Sequence, residues 1–137
     1  MKRVAQANTA PEREVRRLLT LLGARYRLNV RSLPGRPDIG NSSRRKAIFV
    51  HGCFWHAHPE CPRGRLPASN VVFWTEKLLA NRRRDSRNVR DLLALGYDVL
   101  VVWECELRDR SVLRSRLRRF WTRKVPPVSD TIALEEE

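Results

Sequence analysis

The sequence predicts a mixed α/β fold in which helices flank a central β-sheet. Apolar residues recur at helical spacing in four segments of the 137-residue chain, and apolar runs of strand length lie between them. In chain order these segments give one helix, three strands, two helices, a strand and a final helix. This order is typical of a mixed sheet with helices packed against it, and the chain length suits one compact domain.

The N-terminal part predicts a helix followed by an antiparallel meander. Thr9 and Glu12 have the spacing of a capping box, in which Thr9 caps the start of the helix and the Glu12 side chain reaches back to the Thr9 backbone. Gly23 is expected to end the helix. Residues 26–30 alternate apolar and polar side chains, as in a half-buried strand. Turn-forming residues at 33–37 and 41–43 separate this segment from strands that begin at Asp38 and run over 46–50.

The C-terminal part predicts a loop, two helices, a strand and a helix. Residues 52–67 have no periodic pattern, whereas helical spacing returns over 73–81 and again over 89–93 before Gly96. The apolar run at 99–103 predicts a strand buried on both faces, and residues 113–121 outline a last helix. We assign Trp103 and Trp121 to the core. The domain is expected to span 1–124, followed by an acidic, mobile tail over 125–137.

The charge balance indicates a polyanionic partner. Lys and Arg number 28 against 15 Asp and Glu, which gives a formal net charge of +13. The electric field of such a positive charge concentrates nucleic acid at the protein surface. Arginines that are only solvated surface residues account for part of the excess. No segment pairs a basic face with a broad apolar face, so we expect no membrane partner. No apolar run approaches ~20 residues and no signal-peptide core is present, so we expect a cytoplasmic protein.

A compact set of soft metal ligands lies in the predicted loop. Cys53, His58 and Cys61 are close in sequence, and Cys105 is the one other cysteine of the chain. Three thiolates and one imidazole form a closed tetrahedral site of the structural zinc type, Zn²⁺ being the expected ion. The alternative is three unrelated buried thiols, which are common in proteins. Since Cys53 and Cys105 each follow a predicted strand, neighbouring strands would bring them together.

Two histidines and an aspartate beside this loop are candidates for hydrolytic chemistry. His56 is spaced poorly for the zinc site, so its imidazole is available to accept a proton from water, and His51 flanks the same loop. Asp38, with a backbone carbonyl from a neighbouring strand, has the oxygen ligands that Mg²⁺ prefers. The alternatives are a hydrogen-bonded histidine without function and a turn aspartate after proline. Glu12 is explained by the capping box alone.

Bulky aromatic residues occur in the same polar loop. Phe54 and Trp55 are adjacent and cannot both point easily into a core, and in a basic protein such residues can wedge between base steps. Trp74 has helical spacing with Leu78, which fits either a wedge or ordinary core packing.

Several of these strings together resemble the very-short-patch repair endonucleases. The resemblance rests on the motifs HGCFWH at 51–56, LPGRPD at 33–38 and VWEC at 102–105, with Phe73-Trp74, Lys77, Asn81 and Arg84-Asp85 between them. The resemblance runs from about Thr9 to Leu107. It implies a restriction-endonuclease-like fold and a magnesium-dependent, zinc-containing endonuclease. Such an enzyme nicks one strand 5′ to the thymine of a T:G mismatch that arises when 5-methylcytosine deaminates.

The resemblance also implies roles for individual residues. Asp38 matches the magnesium ligand, assisted by the main-chain carbonyl of Val50, and His56 matches the residue that activates water. Three further residues match positions around the metal and the scissile phosphate: Glu12, His51 and Asp85. The structural zinc matches Cys53, His58, Cys61 and Cys105, and the intercalating wedge matches Phe54, Trp55 and Trp74.

The sequence departs from the pattern and leaves two other functions open. Val50 lacks a side-chain oxygen, and only residues 1–8 precede the first helix, so the arm that reaches the minor groove in relatives is short here. The expected partner is double-stranded DNA containing a T:G mismatch, bound by a monomer that is associated with the nucleoid; the sequence gives no downstream repair factors. The alternatives are a non-catalytic, zinc-stabilised DNA-binding module and a double-strand restriction-type nuclease.

Overall fold

A computed structural model describes residues 9–56, 58–59 and 61–124. The first helix, α1 (Ala10–Leu21), begins where the capping pattern places it, because the Thr9 side chain accepts a hydrogen bond from the Glu12 amide at 3.3 Å. The helix ends before Gly23, whose φ of 77° lies in the left-handed region that favours glycine. The apolar positions Val15, Leu18 and Leu19 are buried, as their spacing predicts.

Four strands form one mixed sheet in the order β1-β2-β3-β4. They are β1 (Arg27–Leu28), β2 (Ile39–Asn41), β3 (Lys46–His51) and β4 (Asp98–Trp103). The first three strands pair antiparallel, which confirms the predicted meander, and β3 pairs with β4 in parallel. The mixed α/β class is therefore confirmed.

The first strand is much shorter than the sequence pattern predicts. It contains two exposed residues instead of five half-buried ones. Asn29 takes a left-handed conformation with φ of 48°, which interrupts the extended backbone. Its amide still donates to the Asp38 carbonyl at 2.9 Å, so the segment stays beside β2 without continuing as a regular strand.

One long helix replaces the two helices predicted between β3 and β4. This helix, α2, spans Val71–Ala94. The prediction of a break was wrong because the segment over 82–87 lacks apolar spacing but contains no glycine or proline, and arginine is a good helix former. The last helix, α3 (Arg110–Thr122), is capped by Asp109, whose side chain accepts from the Val112 amide at 3.1 Å.

The helices cover both faces of the sheet, so each face has its own core. The larger core joins α1 and α3 to one face through residues such as Leu19, Ile48 and Leu117. The smaller core joins α2 to the other face through Ala47, Phe49 and Leu92. Helices lie over both faces of β4, but only one face is fully buried and the face of Val99 and Val101 is half-buried, so the prediction of a strand buried on both faces holds in part. Trp121, 4% exposed, is part of the larger core as predicted.

A buried ion cluster closes the edge of the sheet where β3 and β4 begin. The Lys46 ammonium donates to Asp98 Oδ2 at 2.9 Å and to the Arg123 carbonyl at 2.7 Å. Arg123 donates to the two Asp98 oxygens at 2.7 and 2.8 Å. Burial by itself would raise the pKa of Asp98, but the hydrogen bonds from Arg123 and Lys46 outweigh burial and lower the pKa.

The predicted tail over 125–137 and the arm over 1–8 lie outside the described residues. Among the helices that the structure describes, none is long and apolar enough to cross a bilayer.

Candidate active site and metal centre

The site lies at the edge of the sheet where the parallel strands β3 and β4 both end. Their last residues, His51 and Trp103, are register partners. Cys53 and Cys105 each lie two residues beyond a strand end, so the loop after β3 and the short 3₁₀ helix at Glu104–Arg108 meet there. The convergence of the two strand ends that the sequence predicts is confirmed.

The four predicted zinc ligands form one cluster. The ligand atoms of Cys53, His58, Cys61 and Cys105 all lie within 4.8 Å of one another, and Cys105 Sγ is 3.5 Å from His58 Nδ1. Burial raises the pKa of the Cys53 thiol to about 12, with a further contribution from the neighbouring thiols. A set of three sulfurs and one nitrogen at this separation fits a tetrahedral soft cation.

The backbone of the loop is folded tightly around this cluster. The amide of His58 donates to the Cys53 carbonyl at 2.9 Å, and the amide of Gly64 donates to the Cys61 carbonyl at 2.9 Å. A Cβ on Gly64 would lie 2.5 Å from the His58 carbonyl oxygen, so only glycine permits this approach. The Glu104 carboxylate accepts from the Cys53 amide at 3.1 Å and ties the loop to the end of β4.

Asp38 and Glu12 form a pair of carboxyl groups next to Val50 of β3. Asp38 Oδ2 accepts from the Val50 amide at 2.7 Å, and Glu12, 6% exposed, forms a side-chain hydrogen bond with Asp38. Burial raises the pKa of Asp38 to about 7; the Val50 hydrogen bond lowers it, and Glu12 raises it. Two close, desolvated carboxyl groups fit a hard divalent cation, since a cation would stabilise both in the charged form.

Two stacked imidazoles lie next to this carboxyl pair. The ring centroids of His51 and His56 are 3.8 Å apart and their planes differ by 3°. His56 Nδ1 lies 2.5 Å from Asp85 Oδ2, and both side chains are partly exposed. Burial, and next the positive charge of His56, lower the pKa of His51 to about 4, so His51 is neutral at pH 7. Its Nδ1 atom is buried without a hydrogen-bond partner in the described part of the chain.

The assignment of Trp103 to the core was wrong. Its indole stacks on His58, with centroids 4.1 Å apart and planes at 12°, and its edge contacts His51 at 5.2 Å. Trp103 is half-buried and lies outside both core clusters because it is the last residue of β4, beyond the helices that cover the sheet. It therefore joins the cysteine cluster to the histidine pair.

The aromatic residues form a third group beside the histidines. Phe54 contacts Trp55 and Trp74 with ring centroids 5.1 and 5.3 Å apart. Phe73, 57% exposed, extends the group through Trp74. Asn81 donates to the Trp55 carbonyl at 2.9 Å and holds this end of the loop against α2. Trp74 belongs to this group and to neither core cluster, so it does not take part in ordinary core packing.

All the predicted site residues thus converge on one end of the molecule. Sequence reasoning missed the roles of Trp103, Glu104 and Asn81 in holding the site together. Trp103 and Glu104 belong to the VWEC string at 102–105, and Asn81 belongs to the motifs that resemble the endonuclease family. Their contacts could not be predicted, because they depend on the conformation of the loop after β3.

Comparison with known proteins identifies the family. The family model described as DNA mismatch endonuclease Vsr matches residues 1–63. The type II nicking enzyme V.XorIIP of Xanthomonas oryzae pv. oryzae is 51% identical over 120 residues, which cover 88% of this chain and 88% of the relative. This chain belongs to the DNA mismatch endonuclease Vsr family.

Two further relatives agree with this assignment. The type II nicking enzyme V.NmeAIP of Neisseria meningitidis is 43% identical over 88% of this chain and 85% of the relative. The DNA mismatch endonuclease Vsr of Escherichia coli is 45% identical over 82% of this chain and 72% of the relative. The resemblance read from the sequence motifs is confirmed, and so is the prediction that the chain is an endonuclease of the Vsr family.

Proposed function

We propose that this protein nicks one strand of double-stranded DNA 5′ to the thymine of a T:G mismatch, in very-short-patch repair of deaminated 5-methylcytosine. The observation that carries the proposal is the hydrogen bond between His56 and Asp85 beside the pair formed by the half-buried Asp38 and the buried Glu12. A base and a hard-cation site side by side are what phosphodiester hydrolysis requires. The names of the relatives, which include nicking enzymes and a mismatch endonuclease, support it.

His56 is the proposed general base. With Asp85 accepting from Nδ1, the proton stays on that nitrogen, so Nε2 is left to accept a proton from the attacking water. The stacked neighbour His51 is kept neutral by burial and adds no positive charge that would oppose the protonation of His56. Asp85 also stabilises the imidazolium that forms during the reaction.

Asp38 and the main-chain carbonyl of Val50 are the proposed ligands of Mg²⁺. When bound, Mg²⁺ stabilises the negative charge that develops on the phosphate and the leaving oxygen. Glu12 lies beside Asp38 and adds negative charge to the cation site. The Val50 amide holds the Asp38 carboxylate in place at 2.7 Å, so its orientation is fixed before a cation binds.

A structural Zn²⁺ is proposed at Cys53, His58, Cys61 and Cys105. These four residues lie on the loop and on the segment after β4, so one ion would fix the loop that contains His56 relative to the sheet. Phe54, Trp55 and Trp74 are the proposed wedge, which enters beside the mispair and unstacks it at a cost of about a few kcal/mol. A mispaired step is easier to open than a matched one, which gives the wedge its selectivity.

The remaining parts of the proposal concern the whole chain. The central sheet with helices on both faces supports a restriction-endonuclease-like fold, with residues 1–124 as the nuclease domain and 125–137 as an acidic tail. We expect a monomer that acts on DNA in the cytoplasm, at the nucleoid.

The test is cleavage mapping on end-labelled duplexes that contain each mispair or none, with and without Mg²⁺. We expect one nick, 5′ to the thymine of T:G, with a 3′-hydroxyl and a 5′-phosphate, only when Mg²⁺ is present. Binding without cleavage at any divalent metal would contradict the proposal in favour of a DNA-binding module. Cleavage of both strands of matched duplexes would identify a restriction-type nuclease instead.

A further inference from the structure

The outer face of α2 contains a concentration of arginine side chains with no role in the site above. An open groove of about 450 Å³ runs along this face. It is lined by Leu79, Arg82, Arg83, Ser86, Arg87 and Arg90. From 79 to 90 the one acidic residue is Asp85, and it is directed to His56. The charged residues that line the groove are therefore all arginines, although the exposed Asp91 lies one helical turn beyond Arg87.

Most of this groove faces away from the candidate active site, with Arg82 at its near edge, ~60° around the helix from Asp85. At about 100° per residue, Arg83 and Arg87 each lie ~160° around the helix from Asp85. Asp85 and Asn81 contact the loop after β3, and Leu92 is buried against the sheet. A DNA segment whose phosphate lies at His56 is consequently on the other side of α2 from the groove.

The groove has the chemistry of a phosphate-binding surface. Arg82, Arg83 and Arg87 are exposed, and they form no ion pair within 9–56, 58–59 and 61–124. Residues 82–90 extend over ~12 Å of helix, a length along which a DNA duplex presents about seven phosphate charges. Guanidinium groups bind phosphate oxygens in bidentate fashion.

The composition of the groove favours DNA over a protein partner. Stable protein interfaces have an apolar core from which charged residues are depleted, whereas this groove has Leu79 as its single large apolar residue. An open groove whose charged lining residues are all arginines instead fits the DNA duplex, a rod of uniform negative charge. A protein bound to a mismatch is also surrounded by a large excess of matched DNA, so matched DNA is the polyanion at the highest local concentration.

We propose that the outer face of α2 is a second binding surface for double-stranded DNA, which holds a matched segment while the opposite side engages the mismatch. The identity of the ligand as DNA rests on the proposed function, but the surface is independent of the cleavage residues. A single protein molecule would then bridge two DNA segments.

The test compares two double variants of equal charge. Arg83→Gln/Arg87→Gln removes two arginines of the groove, and Arg114→Gln/Arg118→Gln removes two exposed arginines of α3 at the same i, i+4 spacing. Each protein is bound without Mg²⁺ to an immobilised T:G duplex, and capture of a second, labelled matched duplex is measured between 50 and 200 mM salt. Circular dichroism confirms that each variant is folded.

We expect the wild type and the α3 variant to capture the second duplex. The α2 variant should capture it about tenfold more weakly, with a salt slope smaller by about 2, as for the loss of two phosphate contacts. Equal capture by the two variants, or no capture by the wild type, would overturn the second surface. Capture of polyglutamate in place of the duplex would also overturn it and assign the groove to an acidic protein. Nicking by the wild type is measured in parallel, so a failure there contradicts only the proposed function.

Discussion

The imidazoles of His51 and His56 lie face to face, 3.8 Å apart, although His51 ends a strand and His56 belongs to the loop that follows. The stack gives the loop a fixed position against the sheet. The charge states of the two rings are linked, because protonated His56 lowers the pKa of His51. His51 is therefore a neutral support for the ring of His56, the proposed general base.

The first prediction concerns Asp85, the partner of His56. Asp85→Asn keeps the size of the side chain but removes the negative charge that is proposed to hold the His56 Nδ1 proton and to stabilise the imidazolium. We expect the single-turnover nicking rate to fall by about 10²–10⁴-fold, with little change in DNA affinity. Asp91→Asn, an exposed change on the same helix, is the matched control. An Asp85→Asn rate equal to that of the control would remove the proposed role of Asp85.

The second prediction separates activity from stability at Asp38. Asp38→Asn removes a half-buried carboxyl group whose pKa is raised to about 7 by desolvation and by Glu12. We expect nicking to be lost while the melting temperature of the protein, measured without added Mg²⁺, rises by a few degrees, since functional carboxylates are often destabilising. Thermal unfolding of Asp38→Asn and Asp91→Asn checks this. A melting temperature lower than that of the wild type would show that Asp38 stabilises the fold.

The third prediction is a pH dependence that arises from Asp98. The pKa of Asp98 is below its usual 3.8 in the folded protein, so its contribution to stability is complete above about pH 4 and is lost as the pH falls through the folded value. Asp98→Asn leaves the buried Lys46 ammonium without its carboxylate and should cost about 3 kcal/mol at pH 7. Urea unfolding at pH 7 and pH 3 measures the difference from wild type. A difference that stays constant over this range would contradict the ion cluster as its source.

The fourth prediction concerns the cysteine cluster. Cys105→Ser removes the one proposed zinc ligand that lies on the segment after β4, so a bound ion could no longer tie the loop to the sheet. We expect one bound zinc per wild-type molecule by elemental analysis and none in the variant, with a lower melting temperature and faster proteolysis within 52–67. Glu14→Gln, which breaks a surface ion pair with Arg110, serves as the comparison. A zinc content of one in Cys105→Ser would exclude Cys105 as a ligand.

The fifth prediction concerns the aromatic group. Trp55→Ala should weaken binding to a T:G duplex by about 10–100-fold, equivalent to 1–3 kcal/mol of lost stacking, and should weaken binding to a matched duplex less. Leu21→Ala, a change at an exposed apolar residue of α1 away from the aromatic group, provides the reference. Equal losses on matched and mismatched duplexes would indicate that Trp55 supports the loop and does not enter the DNA.

Much of the fold and of the site could be predicted from local sequence patterns. Strand periodicity and turn residues predicted the meander. The spacing of cysteine and histidine residues predicted the cluster at Cys53, because thiolates and imidazoles are the ligands that a soft cation prefers. The continuity of α2 could not be predicted from apolar spacing, since its charged middle turns face solvent. The position of Trp103 depends on the loop conformation, and its residue type fits a core equally well.

The most direct test of the central claim is the nick itself, mapped on a duplex labelled on both strands with one T:G mismatch, for the wild type and for His56→Ala. The account predicts a single Mg²⁺-dependent nick 5′ to the thymine for the wild type, and binding without a nick for His56→Ala. Full-rate nicking by His56→Ala at the same position would contradict it.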